Sequence, residues 1–410
     1  MTIRDPDLAP PPPSGGPAHS TPLAERSLAP DLARGMMLLL IALAHTPYFL
    51  YAAQAGSVGM HPAVGGLADR IAQVFTVIVV DARVHTMFGF LFSYGIGQMY
   101  ARQTAKGTDA ARARRLLRRR HLWMIVFGAV HGLLLWQGDI IGVYGLIGLV
   151  MVPLFLGRSD RALKVWIGVL LALGALMTLA NVLVASDGGG ALAVEMQRAG
   201  IAEPSYPASV GARLSVWTMQ LFTGLATLAL PTAFLMGVLA ARHRLLDEPG
   251  RHLVLLRRLA VWGIFAGWAS GAGLALRHIG VIDVGPVSAL TAVHFFAGVF
   301  TGVGYAALFG LLAHRAQGRA AATARPVRWL AALGRRSMSG YLAQSLVWGP
   351  VLAAWGLGVG AHLSSWSASV VAVATWTVTV AGAVALERAG RRGPAEVLLR
   401  RLTYRAAGTG

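Results

Sequence analysis

The residues best suited to chemistry open the first long apolar run: Asp31-Leu-Ala-Arg34-Gly35, followed within that run by His45. A carboxylate, a guanidinium and an imidazole can between them bind an anion and move a proton. At about 100° per residue on a helix, the steps from Asp31 to Arg34 and from Arg34 to His45 each nearly close whole turns, so all three share one stripe. His45 then lies roughly 16 Å deeper than Arg34. An ionisable group at that depth is costly in lipid and should face protein or water, which makes it a functional candidate. Singly, Asp31 and Arg34 read as an ion pair where a helix starts, and His45 as an interior histidine bonded to its neighbour. The three at this spacing read as a site.

A second polar cluster runs Arg118-Arg119-Arg120-His121, then His131, then Trp136-Gln137-Gly138-Asp139, ending at Tyr144. His131 falls in the middle of an apolar run. Asp139 falls in a turn with Gly138, where it can cap the next helix through N-terminal amides. His294, in ALTAVHFFAGVF, is a third deep imidazole. Asp81, Arg83 and His85 stand together at a membrane face, with Asp81 and Arg83 reading as a structural ion pair. Ser337, Tyr341, Gln344 and Ser345 share one helix side; such residues hold helices together first and line cavities second. His131, Asp139, His294, Tyr341 and Gln344 are thus the candidates for substrate binding. No histidine pair has the close spacing of a zinc motif, so no metal is expected.

These residues need elements deep in an apolar chain to position them. Hydrophobic residues make up 55% and charged residues 13% of the 410, and mean hydropathy is +0.59, the composition of a polytopic membrane protein. There is no cysteine, which excludes disulfides, thiolate metal sites and cysteine nucleophiles. The net charge of +19 sits in short basic blocks between apolar runs. That is the positive-inside pattern, and it accounts for the charge without nucleic acid. No phosphate-binding glycine loop, dinucleotide fingerprint or Gly-x-Ser-x-Gly elbow is placed where it could work.

The chain divides into a disordered Pro-rich cytoplasmic tail (1–30), a transmembrane helical domain (31–387) and a basic cytoplasmic amphipathic segment (388–410). Ala53-Gln54-Ala55 resembles a signal cleavage site, but the charged stretch before it is too long for one, and a retained first span is preferred. Spans are expected at 32–53, 84–100, 121–137, 140–156, 162–185, 217–240, 259–276, 287–314, 338–356 and 367–386. The stretch 67–83 reads as a short or re-entrant helix. The expectation is an all-α bundle of about ten crossings with both termini cytoplasmic, the arginine-rich loop from Arg102 to Arg120 fixing its orientation. The outside loop 186–213 is long enough for a short amphipathic helix lying over the site.

The segments DLARG, FGFLFSYGIGQ, RRRHLWMIVFGAVHGLLLWQGDIIGVYGLIGL, GRRSMSGYLAQS and GPAEVLLRRLTY, in this order from about Asp31 to Arg405, resemble the YeiB-like proteins (domain of unknown function 418). The resemblance implies a multi-pass protein of the bacterial inner membrane. That family is grouped with transmembrane acyltransferases, among them acyltransferase-3 proteins and heparan-alpha-glucosaminide acetyltransferase. Many YeiB-like proteins carry asparagine on the first span where this chain has His45. Acyltransferase-3 proteins place a functional histidine at a similar distance after an arginine, so the resemblance carries over Arg34 and His45. It implies His45 as general base toward an acceptor such as an envelope glycan, with Arg34 near the mouth that receives acyl-CoA. Intramembrane histidines and acids equally suit a proton-coupled exporter of small amphiphiles, and a scaffold without a site is a third reading.

Overall fold

The first helix, α1 (Leu28–His45), ends at His45 because Pro47 follows it. Proline has no N–H for the Leu43 carbonyl and its ring crowds that carbonyl. The chain tightens into a 3-10 turn over Thr46–Phe49. His45 is thus the last α-helical residue inside a candidate span that continues through the turn to Phe49, short of the expected end at 53. The computed structural model describes residues 27–185, 190–316 and 324–404. Most of the expected N-terminal tail, the DGG start of the outside loop and the last six residues of the chain lie outside them.

The remaining helices are α2 (Leu67–Phe75), α3 (Val84–Ala105), α4 (Ala110–Leu134), α5 (Ile140–Phe155), α6 (Asp160–Leu183) and α7 (Gly190–Ala202). After these come α8 (Tyr206–Ala226), α9 (Ala229–Arg242), α10 (Leu253–His278) and α11 (Val287–Ala316). The last four are α12 (Arg325–Arg335), α13 (Ser337–Leu352), α14 (Ser365–Arg388) and α15 (Pro394–Tyr404). Among the described residues the chain is all-helical, with one isolated bridge between Ala55 and Pro62. Among the described residues six helical segments are long and apolar enough to cross a membrane, seven with the bent pair α8–α9; α5 is apolar but shorter.

Local chemistry explains the boundaries. The arginine block expected as a loop is mostly helix, because Gly107 takes a positive φ of 79° and Asp109 caps α4 through the amides of Ala111 and Arg112. The expected span 217–240 is broken: α8 and α9 meet at 58°. Pro231 cannot donate to the Thr227 carbonyl, and Leu228 turns left-handed at φ 59°.

The stretch 67–83 joins α3 in one 39-residue apolar segment, Leu67–Ala105. Its helix passes through a π-turn at Thr76–Val80 and a break at Asp81–Arg83, where Ala82 has φ 61°. The carbonyls loosened there are collected by Arg83, a fully buried guanidinium. It donates to the oxygens of Val77 (3.2 Å), Asp81 and Gly267 and contacts Nε2 of His294 at 2.7 Å. Asp81 pairs instead with His61 at 2.8 Å, so the expected Asp81–Arg83 side-chain ion pair is replaced by two separate contacts.

At the Asp31 end, α1 and α12 pack backbone to backbone. A Cβ on Gly334 would meet the carbonyl oxygen of Asp31, and one on Gly35 that of Leu330. The C-terminal α15 is tied into the bundle: Glu396 accepts from the amides of Met338 (2.8 Å) and Ser339 (3.1 Å), capping α13 across the fold.

Candidate functional site

His131, near the end of α4, turns Nδ1 onto the Asp139 carboxylate at 2.8 Å, and both side chains are almost fully buried. Asp139 has two duties at once. Its Oδ2 caps α5 through the Gly142 amide at 2.6 Å and receives the Trp217 indole at 3.4 Å, while Oδ1 holds the imidazole. A carboxylate on Nδ1 fixes the tautomer and leaves Nε2 as the basic nitrogen. Nε2 of His131 is buried and has no partner among the described residues.

Tyr341 of α13 lies beside that ring, centroid to centroid 5.3 Å. Its hydroxyl donates to the Gly138 carbonyl at 3.1 Å and accepts from the Ile140 amide at 3.3 Å, which locks α13 to the α4–α5 turn. The ring of His45 is also near Tyr341, centroid to centroid 6.3 Å. His45 also touches Trp136 (5.4 Å), Trp348 (6.1 Å) and Tyr48 (6.4 Å). His45 is half-buried, and its Nδ1 is buried without a partner among the described residues. Gln344 donates to the Leu38 carbonyl at 3.2 Å, which ties α13 to α1.

Buried polar atoms are normally satisfied. Here Nδ1 of His45, Nε2 of His131, Nε1 of Trp136, Oε1 of Gln344 and Oγ of Ser345 are all without partners among the described residues. These five, of twelve such atoms among the described residues, lie on the elements around Tyr341. Such a setting holds acceptors and donors for a bound polar group and, in His131, a nitrogen able to take a proton.

The sequence candidates divide into three places. His45, His131, Asp139, Tyr341 and Gln344 gather around the α1–α4–α13 junction. Asp31 and Arg34 do not join them. Their ion pair, at 3.5 Å, sits at the opposite end of α1, where Arg34 also donates to the Leu91 carbonyl at 3.0 Å. His294 is elsewhere again, on Arg83 at the helix break. The aromatic frame of Trp136, Trp348 and Tyr48 was not anticipated. Inside an apolar run a tryptophan that boxes a histidine looks like any other core residue. No group of three or more His, Asp or Glu among the described residues is arranged to hold a metal.

A short helix crosses nearby. Gln197 of α7 accepts from the Gln137 side chain at 2.6 Å, and the Ile201 carbonyl from the Ala354 amide at 2.9 Å. Arg198 donates to the carbonyls of Ala53 and Met60 at 2.7 and 3.0 Å. The helix is thus tied to the loop after His45, to the turn before Asp139 and to the chain after α13.

Residues 240–406 match the family described as "Protein of unknown function (DUF418)". That region contributes α13, while His45, His131 and Asp139 precede it. The uncharacterized protein YxaH of Bacillus subtilis (strain 168) is 27% identical over 397 residues, covering 91% of this chain and 93% of that one. The uncharacterized protein YeiB of Escherichia coli (strain K12) is 25% identical over 412 residues, covering 94% and 98%. An uncharacterized 39.9 kDa protein in the amylase 3′ region of Bacillus acidopullulyticus is 31% identical over 105 residues, 26% of this chain and 29% of that one. The two relatives spanning nearly the whole chain make the protein similar to the YeiB-like proteins, and its C-terminal region, residues 240–406, to the DUF418 family.

Proposed function

We propose that this chain is a multi-pass enzyme of the bacterial inner membrane that moves an acyl group from a cytoplasmic acyl-CoA to an envelope glycan or small acceptor. In this reading the bundle crosses about ten times with both termini in the cytoplasm, and the His45–His131 cluster lies toward the outer side. The observation that carries the proposal is the Asp139–His131 pair at 2.8 Å, its second ring nitrogen buried without a partner among the described residues.

The chemistry follows from that pair. An acceptor hydroxyl gives its proton to Nε2 of His131 as its oxygen bonds to the acyl carbon. Asp139 stabilises the imidazolium that forms. The carbon–sulfur bond then breaks, the thiolate leaves, and the imidazolium returns the proton to it. His45, partly open and framed by aromatics, orients the acceptor or donates to the developing oxyanion. Asp31 and Arg34 act at the donor's side, Arg34 as a cation near the cytoplasmic mouth and Asp31 as its partner.

The test is release of free thiol from acyl-CoA by the purified protein supplied with envelope glycan. Wild type is expected to turn over, and His131→Ala and His45→Ala to fall by 10²-fold or more. Undiminished turnover in His131→Ala would remove the proposal. A proton-coupled exporter is the second reading, favoured by the broken helices at Asp81–Arg83 and α8–α9. Proton-driven flux in proteoliposomes with no thiol release would establish it instead.

A further inference from the structure

A cavity of about 450 Å³ opens between α10 and α11, far in sequence from the histidine cluster. Arg257, in the first turns of α10, and Arg315, in the last turn of α11, stand at the same end of this antiparallel pair. From Arg257 the lining runs down one stripe of α10 through Val261 to Phe265, and from Arg315 down one stripe of α11 through Leu312 to Leu308. The trough is about 12 Å long at 1.5 Å per residue, most of one leaflet's hydrocarbon depth of about 15 Å.

Three properties fix what it would hold. The walls are apolar, and Val261 (62%), Phe265 (63%) and Leu312 (42%) are open on the outer surface of the helix pair. Both arginines are exposed, and neither has a hydrogen bond or ion pair among the described residues. Their end of the pair belongs to the basic side of the chain, with Arg251 and Arg258 close by in sequence. Two unpaired guanidiniums above an apolar trough match a phosphate carrying a chain, because guanidinium binds phosphate oxygens in a fork and the trough excludes water from the tail. A second copy of this chain fits less well, since two sets of arginines would then face one another.

We propose that this groove is a binding site for an anionic phospholipid of the inner leaflet, its phosphate between Arg257 and Arg315 and one acyl chain along Phe265 and Leu308. The site is independent of the acyl-transfer reading. Two arginines at a membrane surface correspond to about a thirty-fold preference for an anionic over a zwitterionic headgroup.

Native mass spectrometry of the purified full chain, titrated with phosphatidylglycerol, phosphatidylcholine or inorganic phosphate, reads that preference directly. The wild type should retain phosphatidylglycerol about thirty-fold more tightly than phosphatidylcholine, with inorganic phosphate failing to displace it. Arg257→Gln with Arg315→Gln should bring the two lipids within about three-fold. Leu308→Trp, which fills the trough and spares both charges, should weaken both lipids at an unchanged melting temperature. Equal binding of the two lipids, an unaffected preference in the double variant, displacement by phosphate alone, or a dimer joined across Phe265 would each overturn the site.

Discussion

Asp139→Asn is the sharpest perturbation available, because it keeps the shape of the side chain and changes only what it offers. Asp139 is 1% exposed, and its two oxygens serve different neighbours: His131 on Oδ1, the Gly142 amide and the Trp217 indole on Oδ2. Asparagine has one oxygen. Placed toward Gly142 it preserves the cap of α5, and its NH2 then faces Nδ1 of His131. Two donors cannot share that contact, so the imidazole takes the other tautomer, with its proton on Nε2. The base is lost while the helix start survives.

The expected loss in turnover is that of a positioned general base, about 10²- to 10⁴-fold, with KM changed much less. Stability falls by only about 1–3 kcal/mol, the worth of a buried charge-assisted hydrogen bond. Thiol release from acyl-CoA gives the first number and thermal unfolding in detergent the second. Asp139→Ser separates the two duties: serine caps a helix as well as aspartate does, but it is too short to reach His131. If Asp139→Ser works at the wild-type rate, or Asp139→Asn stays within three-fold of it, Asp139 is only a cap and the base assignment is refuted.

Arg83→Met should be among the most damaging single changes, costing about 3–5 kcal/mol, because several carbonyls at the helix break lose their donor together; thermal unfolding measures it. Gly334→Ala should cost about 1–3 kcal/mol by the same assay, since its Cβ would strike the Asp31 carbonyl and push α12 off α1. Glu396→Ala should cost about 1 kcal/mol and raise protease sensitivity near α15, because two α13 amides lose their cap from that helix.

Helix content and the apolar segments could be read from the sequence because their signal is long and local. What escaped had a partner far away. Asp81 and Arg83 read as a pair because they are neighbours, but a break in the helix sends the carboxylate to His61 and the guanidinium to the backbone oxygens of Val77, Asp81 and, on α10, Gly267. Glu396 gave no sign that it would cap a helix starting nearly sixty residues earlier. The arginine block before His121 looked like loop by charge, yet it carries a helical spacing that Asp109 initiates. Pro231 marks the bend before α9, but the apolar run on either side of it is continuous and hides the break.

The stripe on α1 shows how far periodicity reaches. It identifies residues on one face, and Asp31, Arg34 and His45 do share a face. A helix of 18 residues, however, meets different neighbours along its length. Near Asp31 and Arg34 the neighbours are α12 and the backbone of α3, where contact is too close for anything but glycine. At His45 they are Trp136, Tyr341 and Trp348, from the α4–α5 turn and α13. One stripe therefore addresses two places roughly 16 Å apart, and side chains at that separation cannot act on the same atom. If the cluster moves a proton, the carboxylate that helps must come from a neighbouring element, and Asp139 stands 2.8 Å from His131. Removing the Asp31 carboxylate should therefore act on folding and donor affinity, and removing that of Asp139 on turnover. The ratio of the two effects on kcat separates a site that runs along α1 from one built across helices.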